Sequence, residues 1–191
     1  MDKLAGMRIT GGQARGIPIS TGRARHVRPA TDRMREAVFS SLGERVLLAR
    51  FLDLFAGSGS YGLEALSRGA EGGIFVEKHA QAAAALQDNL QAVCKSMGLA
   101  GPRPARVVRQ DVLKFASGEC FNLVFMDPPY ELIRAGQPAL LARAGEFLAG
   151  GGVLVLELPA DLDLPQTGWN CLRRIGKSGT NEPSVALLER T

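Results

Sequence analysis

Phe51-Leu52-Asp53-Leu54-Phe55-Ala56-Gly57-Ser58-Gly59-Ser60-Tyr61-Gly62-Leu63-Glu64-Ala65-Leu66-Ser67-Arg68 is the stretch that decides the fold. Its first five residues form a short apolar run of strand type. A glycine turn follows, and then a helical pattern over residues 63–68. Strand, glycine turn and helix open a nucleotide-binding α/β unit. Gly57, Gly59 and Gly62 match the spacing G-x-G-x-x-G, and glycine lets backbone approach a ligand that a Cβ would block. Asp53 at the strand end disfavours a pyrophosphate and favours a cationic ligand. The other reading is a tight strand-to-helix turn that binds nothing.

Outward from this unit the pattern keeps alternating. Residues 73–77 read as the second strand, and 79–97 as a helix with Leu86, Leu90, Val93 and Met97 on one face. Residues 106–108 form the third strand, ending at Gln110-Asp111, and 121–126 the fourth. A helix is expected over about 137–148, a fifth strand over 152–157, and two last strands over 171–175 and 185–188. Upstream, residues 7–10 and 16–19 flank Gly11-Gly12 as a hairpin. Thr31 or Asp32 is a candidate N-cap for a helix through Met34, Val38 and Leu42. Alternation of this kind predicts an α/β fold, a parallel sheet covered on both faces. Ligands then bind at the carboxyl ends of the strands. Asp53, Glu77, Asp111 and Asp127 all fall at such ends. Four acids on one rim repel one another unless a polar or cationic ligand lies there. Asp111, ahead of Val112-Leu113, also reads as a helix cap.

The fourth strand runs into Asp127-Pro128-Pro129-Tyr130. Proline has no N–H, so neighbouring carbonyls are free to face a ligand. Asp127 and the Pro128 carbonyl can accept the two hydrogens of a planar amine, and Tyr130 offers a face on which a base stacks. Taken alone, Pro-Pro also reads as a plain turn after a strand.

Composition narrows the field. The chain has 191 residues, 46% hydrophobic and 22% charged, enough for one α/β domain with a small appendage. No uncharged apolar stretch approaches a membrane span, and the N-terminus lacks the apolar core of a signal peptide. Cys94, Cys120 and Cys171 are widely spaced, and His26 and His79 are isolated, so neither a disulfide framework nor a metal site is expected. A reducing cytoplasm is the expected home. The net charge of +4 is uneven: residues 1–50 carry +6 and the remainder −2. Arg8, Arg15, Arg23, Arg25, Arg28, Arg33 and Arg35 crowd one stretch. Arginine forks suit phosphate oxygens, so this stretch reads as a nucleic-acid footprint or as a solvated basic face.

Each rim acid has a counterpart on S-adenosylmethionine, which carries an ammonium and a sulfonium but no phosphate. Asp53 with the loop Phe55, Ala56, Gly57, Ser58, Gly59 and Gly62 suits the methionine end. Glu77, with Lys78 beside it, suits the ribose hydroxyls. Asp111 suits the adenine amine, with the Val112 amide facing a ring nitrogen.

These motifs make the chain resemble class I S-adenosylmethionine-dependent methyltransferases. More closely, it resembles the RsmD-type family that methylates guanine N2 in 16S ribosomal RNA. The resemblance runs from Met7 through Arg8-Ile9-Thr10-Gly11-Gly12, then Arg28-Pro29-Ala30-Thr31-Asp32-Arg33-Met34-Arg35-Glu36. It continues through residues 52–59, Glu77, Asp111 and residues 127–130. It implies a Rossmann-like sandwich with a seven-stranded, mostly parallel sheet and an antiparallel last strand. It implies a basic extension over residues 1–48 that contacts RNA, and a methyltransferase domain over 49–191. Asp127, Pro128, Pro129 and Tyr130 would be the catalytic lip. Arg8, Arg15, Arg28, Thr31, Arg33 and Arg35 would face the RNA, with Thr31 and Arg33 alternatively over the methionine end of the cofactor. The partner would be 16S ribosomal RNA in a small-subunit assembly particle, the enzyme a monomer. Two departures stand out: Ala14 where the family often has an aromatic residue, and Ser178 where it often has tyrosine. Rival readings are N6 methylation of adenine in DNA, N5 methylation of a protein glutamine, and a non-catalytic RNA-binding protein.

Overall fold

The computed structural model describes residues 7–21, 32–99, 104–165, 167–176, 179 and 182–191. The chain runs α1 (Asp32–Leu42), β1 (Arg50–Leu54), α2 (Ser60–Ser67), β2 (Gly72–Val76), α3 (Ala80–Ser96) and β3 (Ala105–Val108). It continues through β4 (Phe121–Met126), α4 (Tyr130–Phe147), β5 (Leu148–Pro159), β6 (Trp169–Gly176) and β7 (Pro183–Arg190). The seven strands form one sheet in the order β3-β2-β1-β4-β5-β7-β6. β1 to β5 pair in parallel, while β7 pairs antiparallel with both β5 and β6. From β1 the chain steps outward to β2 and β3, then returns to β4 on the other side of β1. That reversal is the topological switch point, where open α/β sheets bind ligands.

Period-two alternation sorts the core into two layers. Phe51, Phe75, Phe125 and Val155 face α1, α2 and α3. Leu52, Leu54, Ile74, Met126 and Leu156 face Ile133, Leu140, Leu141 and Phe147 of α4. The Phe51 and Phe75 rings meet edge to face with centroids 5.2 Å apart, a favoured aromatic geometry. No helix among the described residues is long and apolar enough to cross a membrane.

Two expected elements differ. The hairpin over residues 7–19 forms only one antiparallel bridge, Arg8 with Pro18. It is closed by Ile9 N–H to the Ile17 carbonyl at 2.9 Å and Ile19 N–H to the Met7 carbonyl at 2.8 Å. Pro18 offers no N–H, so the ladder cannot extend. The fourth helix begins at Tyr130, seven residues before its expected start, and breaks at Gly136 (φ −148°, ψ 33°) ahead of Pro138. Proline is tolerated in a first helical turn, so Pro138 opens the second segment without losing an internal bond. Ile9, Ala14 and Ile19 of the extension join the same apolar cluster as Phe51.

Candidate active site

Strand order sets the order of the rim acids. Reading β3-β2-β1-β4 along the sheet, the carboxyl ends carry Asp111, Glu77, Asp53 and Asp127 in that sequence. A fifth acid, Glu157, extends the row on β5. Neighbouring strands stand about 4.8 Å apart, so the row is long enough for an extended small molecule.

Three of these acids are held by backbone. Glu77 is buried, with Oε2 accepting the Gly57 N–H at 2.9 Å and Oε1 the His79 N–H at 2.7 Å. The Glu77 carboxylate therefore ties the glycine loop to the end of β2. Buried Asp53 accepts the Gly62 N–H at 3.0 Å, which fixes the first turn of α2 against β1. Asp111 accepts the Leu113 N–H at 2.9 Å and so caps the short 3-10 turn Val112–Lys114, the second role its sequence position allowed. Its other oxygen accepts no hydrogen bond among the described residues, which leaves it for a ligand.

The three glycines divide by task. A Cβ on Gly59 would lie 2.1 Å from Leu86 Cδ1, and one on Gly62 2.3 Å from Phe75 Cε1. Gly62 is glycine because α2 packs tightly on the sheet, and Gly59 because Leu86 of α3 closes over it and its φ is 80°. A Cβ on Gly57 would meet only the Phe55 carbonyl, at 3.9 Å, so Gly57 alone keeps an open face. Phe55 has φ 59°, a left-handed conformation uncommon for a non-glycine residue and concentrated at functional loops. Ala56 is buried, its N–H donating to the Val76 carbonyl at 3.0 Å, and the Asn89 amide holds the Ser58 carbonyl at 3.0 Å. Lys78 is exposed and Val112 buried.

At the end of β4, Pro128 is buried and Pro129 precedes α4 as its N-cap. The Pro129 carbonyl accepts the Leu132 and Ile133 amides, whereas the Pro128 carbonyl accepts no hydrogen bond among the described residues. Tyr130 opens the helix, half-buried, its hydroxyl pushed up to about 12 chiefly by burial, with Glu157 and Asp127 adding to it. Asp127 is half-buried, and loss of water pushes its carboxyl up to about 7. Asp53 is also raised, by burial first and then by the Asp127 and Glu77 charges, against the pull of the Gly62 amide. These couplings bring Asp53, Glu77 and Asp127 within electrostatic reach of one another.

Two residues beside Asp127 are not singled out by the sequence reading. Glu157, 3% exposed, is raised by burial and by the Asp127 charge, while the Tyr61 hydroxyl and Arg35 pull it back. Tyr61, buried in the first turn of α2, donates to Glu157 Oε2 at 3.2 Å and stacks on Phe125 at 5.5 Å. The strand-end rule that picks out four acids applies equally to Glu157, at the end of residues 152–157. Tyr61 carries no such signal, because its role depends on a contact across 96 positions.

The basic extension splits. Arg8, Arg15 and Arg33 are exposed, although Arg8 lies 3.5 Å from Asp32. Arg28 and Thr31 lie outside the described residues, as does Ser178. Arg35 is corrected: it is 0% exposed, donates to the Arg8 carbonyl and Asp32, and cannot reach an RNA phosphate. Buried charge survives where acids and carbonyls surround it, and the sequence pattern does not reveal that enclosure. No group of three or more His, Cys, Asp or Glu arranged to hold a metal ion occurs among the described residues.

The sequence and the fold have known counterparts. The family model described as conserved hypothetical protein 95 matches residues 7–187. Ribosomal RNA small subunit methyltransferase D of Escherichia coli (strain K12) is 35% identical over 161 residues, covering 83% of this chain and 78% of that protein. A solved hypothetical protein of Thermus thermophilus is 36% identical with a TM-score of 0.73, covering 95% of this chain and 98% of that one. A SAM-dependent methyltransferase from Thiobacillus denitrificans, solved with S-adenosyl-L-homocysteine, shares the fold at 17% identity and a TM-score of 0.64, covering 81% of this chain and 71% of that one. With nearly its whole length inside the family model, the chain belongs to the family described as conserved hypothetical protein 95, alongside ribosomal RNA small subunit methyltransferase D.

Proposed function

We propose that this protein is an RNA methyltransferase that uses S-adenosylmethionine to methylate the exocyclic N2 amine of an unpaired guanine in 16S ribosomal RNA. One observation carries the reading: the rim acids follow the strand order Asp111, Glu77, Asp53, Asp127, and the row reaches an uncommitted Pro128 carbonyl. Adenine, ribose and methionine occur in that same order along S-adenosylmethionine. The residues fit the molecule: Asp111 has an oxygen left for the adenine amine, the anchored Glu77 for the ribose hydroxyls, and Asp53 with the open face of Gly57 for the methionine end. The molecule supplies an electrophilic methyl group. The family relative from Escherichia coli, named for ribosomal RNA, supports the substrate class.

The chain's own residues act on the amine. Guanine N2 is a poor nucleophile because its lone pair is delocalised into the ring. Asp127 and the Pro128 carbonyl accept its two hydrogens and favour a pyramidal nitrogen with its lone pair free. Orientation and placed acceptors supply most of the acceleration. As the nitrogen gains charge, Asp127 stabilises it and takes the proton. Tyr130 stacks on the base, worth about 1–3 kcal/mol, and the base must be unpaired or flipped out to enter. Arg8, Arg15 and Arg33 contact the RNA backbone.

The test is methyl transfer from labelled S-adenosylmethionine to unmodified small subunits, naked 16S RNA and unmethylated DNA, followed by nucleoside mass spectrometry. The expected product is N2-methylguanosine from ribosomal RNA, and the better substrate identifies the assembly state. N6-methyladenine from DNA would overturn the substrate, and no transfer at all would overturn the reading.

A further inference from the structure

We propose that Glu157 is a base-selecting residue whose carboxylate accepts the N1–H of the target guanine while Asp127 and the Pro128 carbonyl hold the N2 amine. This inference rests on the guanine-N2 reading above and adds to it the group that recognises the base.

Position comes first. β4 and β5 run in parallel with Met126 opposite Leu156, so the next residues are neighbours: Asp127 just past the end of β4, and Glu157 two residues before β5 ends at Pro159. Phe125 and Val155 share the layer under α1 and α2, and alternation returns Asp127 and Glu157 to that layer two residues on. Glu157 is 3% exposed. Its Oε2 accepts the Tyr61 hydroxyl at 3.2 Å, and its Oε1 accepts no hydrogen bond among the described residues.

A buried carboxyl beside another carboxyl is a costly arrangement. Nothing in the strand demands it: Leu156 and Leu158 flank Glu157, and Val185 opposes it on β7. Nor is Glu157 needed to neutralise Arg35, which already has Asp32, Glu64 and the Arg8 carbonyl. The groups facing Glu157 are Asp127 from the end of β4, Tyr61 from α2, Arg35 from α1 and Tyr130 from the start of α4. Tyr61 supplies one donor, which leaves acceptor capacity in a site already short of donors.

Guanine meets that shortage. Its edge presents three donors, N1–H and the two N2 hydrogens, to two carboxyls and one carbonyl. Each hydrogen bond favours the ionised acid, so the base itself stabilises the charged pair. Adenine presents an amine beside a bare N1 lone pair, which gives the Glu157 carboxylate no hydrogen to accept and does nothing to favour its ionised form. A site built to bond a substrate N–H rejects analogues that lack it, because a buried group is left unpaired.

The experiment compares guanosine with 2-aminopurine at the methylated position of 16S RNA reconstituted into small subunits. 2-Aminopurine keeps the amine but has a lone pair at N1. Wild-type enzyme is expected to be roughly ten- to hundredfold slower in kcat/KM on 2-aminopurine. Glu157→Gln is expected to lose a similar factor on guanosine and regain activity on 2-aminopurine, since the carboxamide donates to N1 while still accepting from Tyr61. S-adenosylmethionine affinity should be unchanged in this variant. Equal wild-type rates on the two bases overturn the proposal even where the variant fails to fold, and leave the guanine-N2 reading standing. Equal losses by the variant on both bases also overturn it. Wild-type enzyme that makes no N2-methylguanosine removes the parent reading and this inference together.

Discussion

The buried carboxylate of Glu64 on α2 lies 3.9 Å from the fully buried guanidinium of Arg35 on α1. Glu64 also accepts the Thr10 N–H at 2.8 Å, the Thr10 hydroxyl at 2.7 Å and the Gly11 N–H at 2.8 Å, while Arg68 completes its shell. One carboxylate thus fastens the N-terminal extension to the helix that follows the glycine loop. Breaking a buried pair leaves an uncompensated charge, which costs about 3–5 kcal/mol. Glu64→Gln should lose that much in urea unfolding. A loss below about 1 kcal/mol would show that the Glu64 charge adds little to what the apolar contacts and the hydrogen bonds to Ser67 and Asn89 already hold.

Asp127→Asn keeps the shape of the lip but loses a carboxylate oxygen and the proton acceptor. Methyl transfer should fall roughly 10²- to 10⁴-fold, within the range for removing a positioned base or a charge-stabilising group. Cofactor affinity, read by calorimetry, should hold. Turnover comparable to wild type would remove Asp127 from the mechanism.

The pH dependence of rate and of stability should run in opposite directions. Burial lifts the Asp127 carboxyl to about 7, and the proposed transfer needs it ionised. kcat/KM should then climb roughly tenfold per pH unit below about 7 and level off above it. Stability has the reverse sign. A carboxyl raised in the folded state contributes fully below its unfolded value of about 4, and that contribution is lost as pH rises through about 7. Asp127→Asn should therefore exceed wild type by roughly 1–3 kcal/mol in urea unfolding at pH 8 and match it at pH 4. A wild-type rate that is flat from pH 5.5 to 8.5 on the same substrate would contradict the assignment.

The three glycines should fail differently. Gly59→Ala and Gly62→Ala press a Cβ into Leu86 or Phe75 and should cost about 1–3 kcal/mol of folding stability. Gly57→Ala meets no such obstacle, only a positive φ of 53°. It should unfold within about 1 kcal/mol of wild type, yet bind S-adenosylmethionine distinctly more weakly. Undiminished affinity would move the ligand away from this loop.

Exposed Arg15 and Arg33, not Arg35, should carry the salt dependence of RNA binding. Neutralising both should reduce the slope of log affinity against log salt by about 1.4–1.8. An unchanged slope would remove them from the RNA face.

Local rules made much of this protein legible. The runs at residues 51–54, 73–76 and 123–126 are buried on both faces, so they read as continuous strands, and the glycine turn marks where the first meets its helix. Acids at strand ends need only a strand boundary to be recognised, which is why Asp53, Glu77, Asp111 and Asp127 stand out in the chain. The tertiary structure decided what depends on long-range contact. It enclosed Arg35, a residue indistinguishable in sequence from its exposed neighbour Arg33. It assigned Gly59 and Gly62 to packing and left Gly57 the open face, though all three share one motif. It ordered the acids as β3-β2-β1-β4-β5, and it brought Tyr61 to Glu157 beside Asp127. Burial and adjacency are properties of the folded sheet: a residue's charge is written in its side chain, but the water removed from around it is decided by strands that lie far away along the chain.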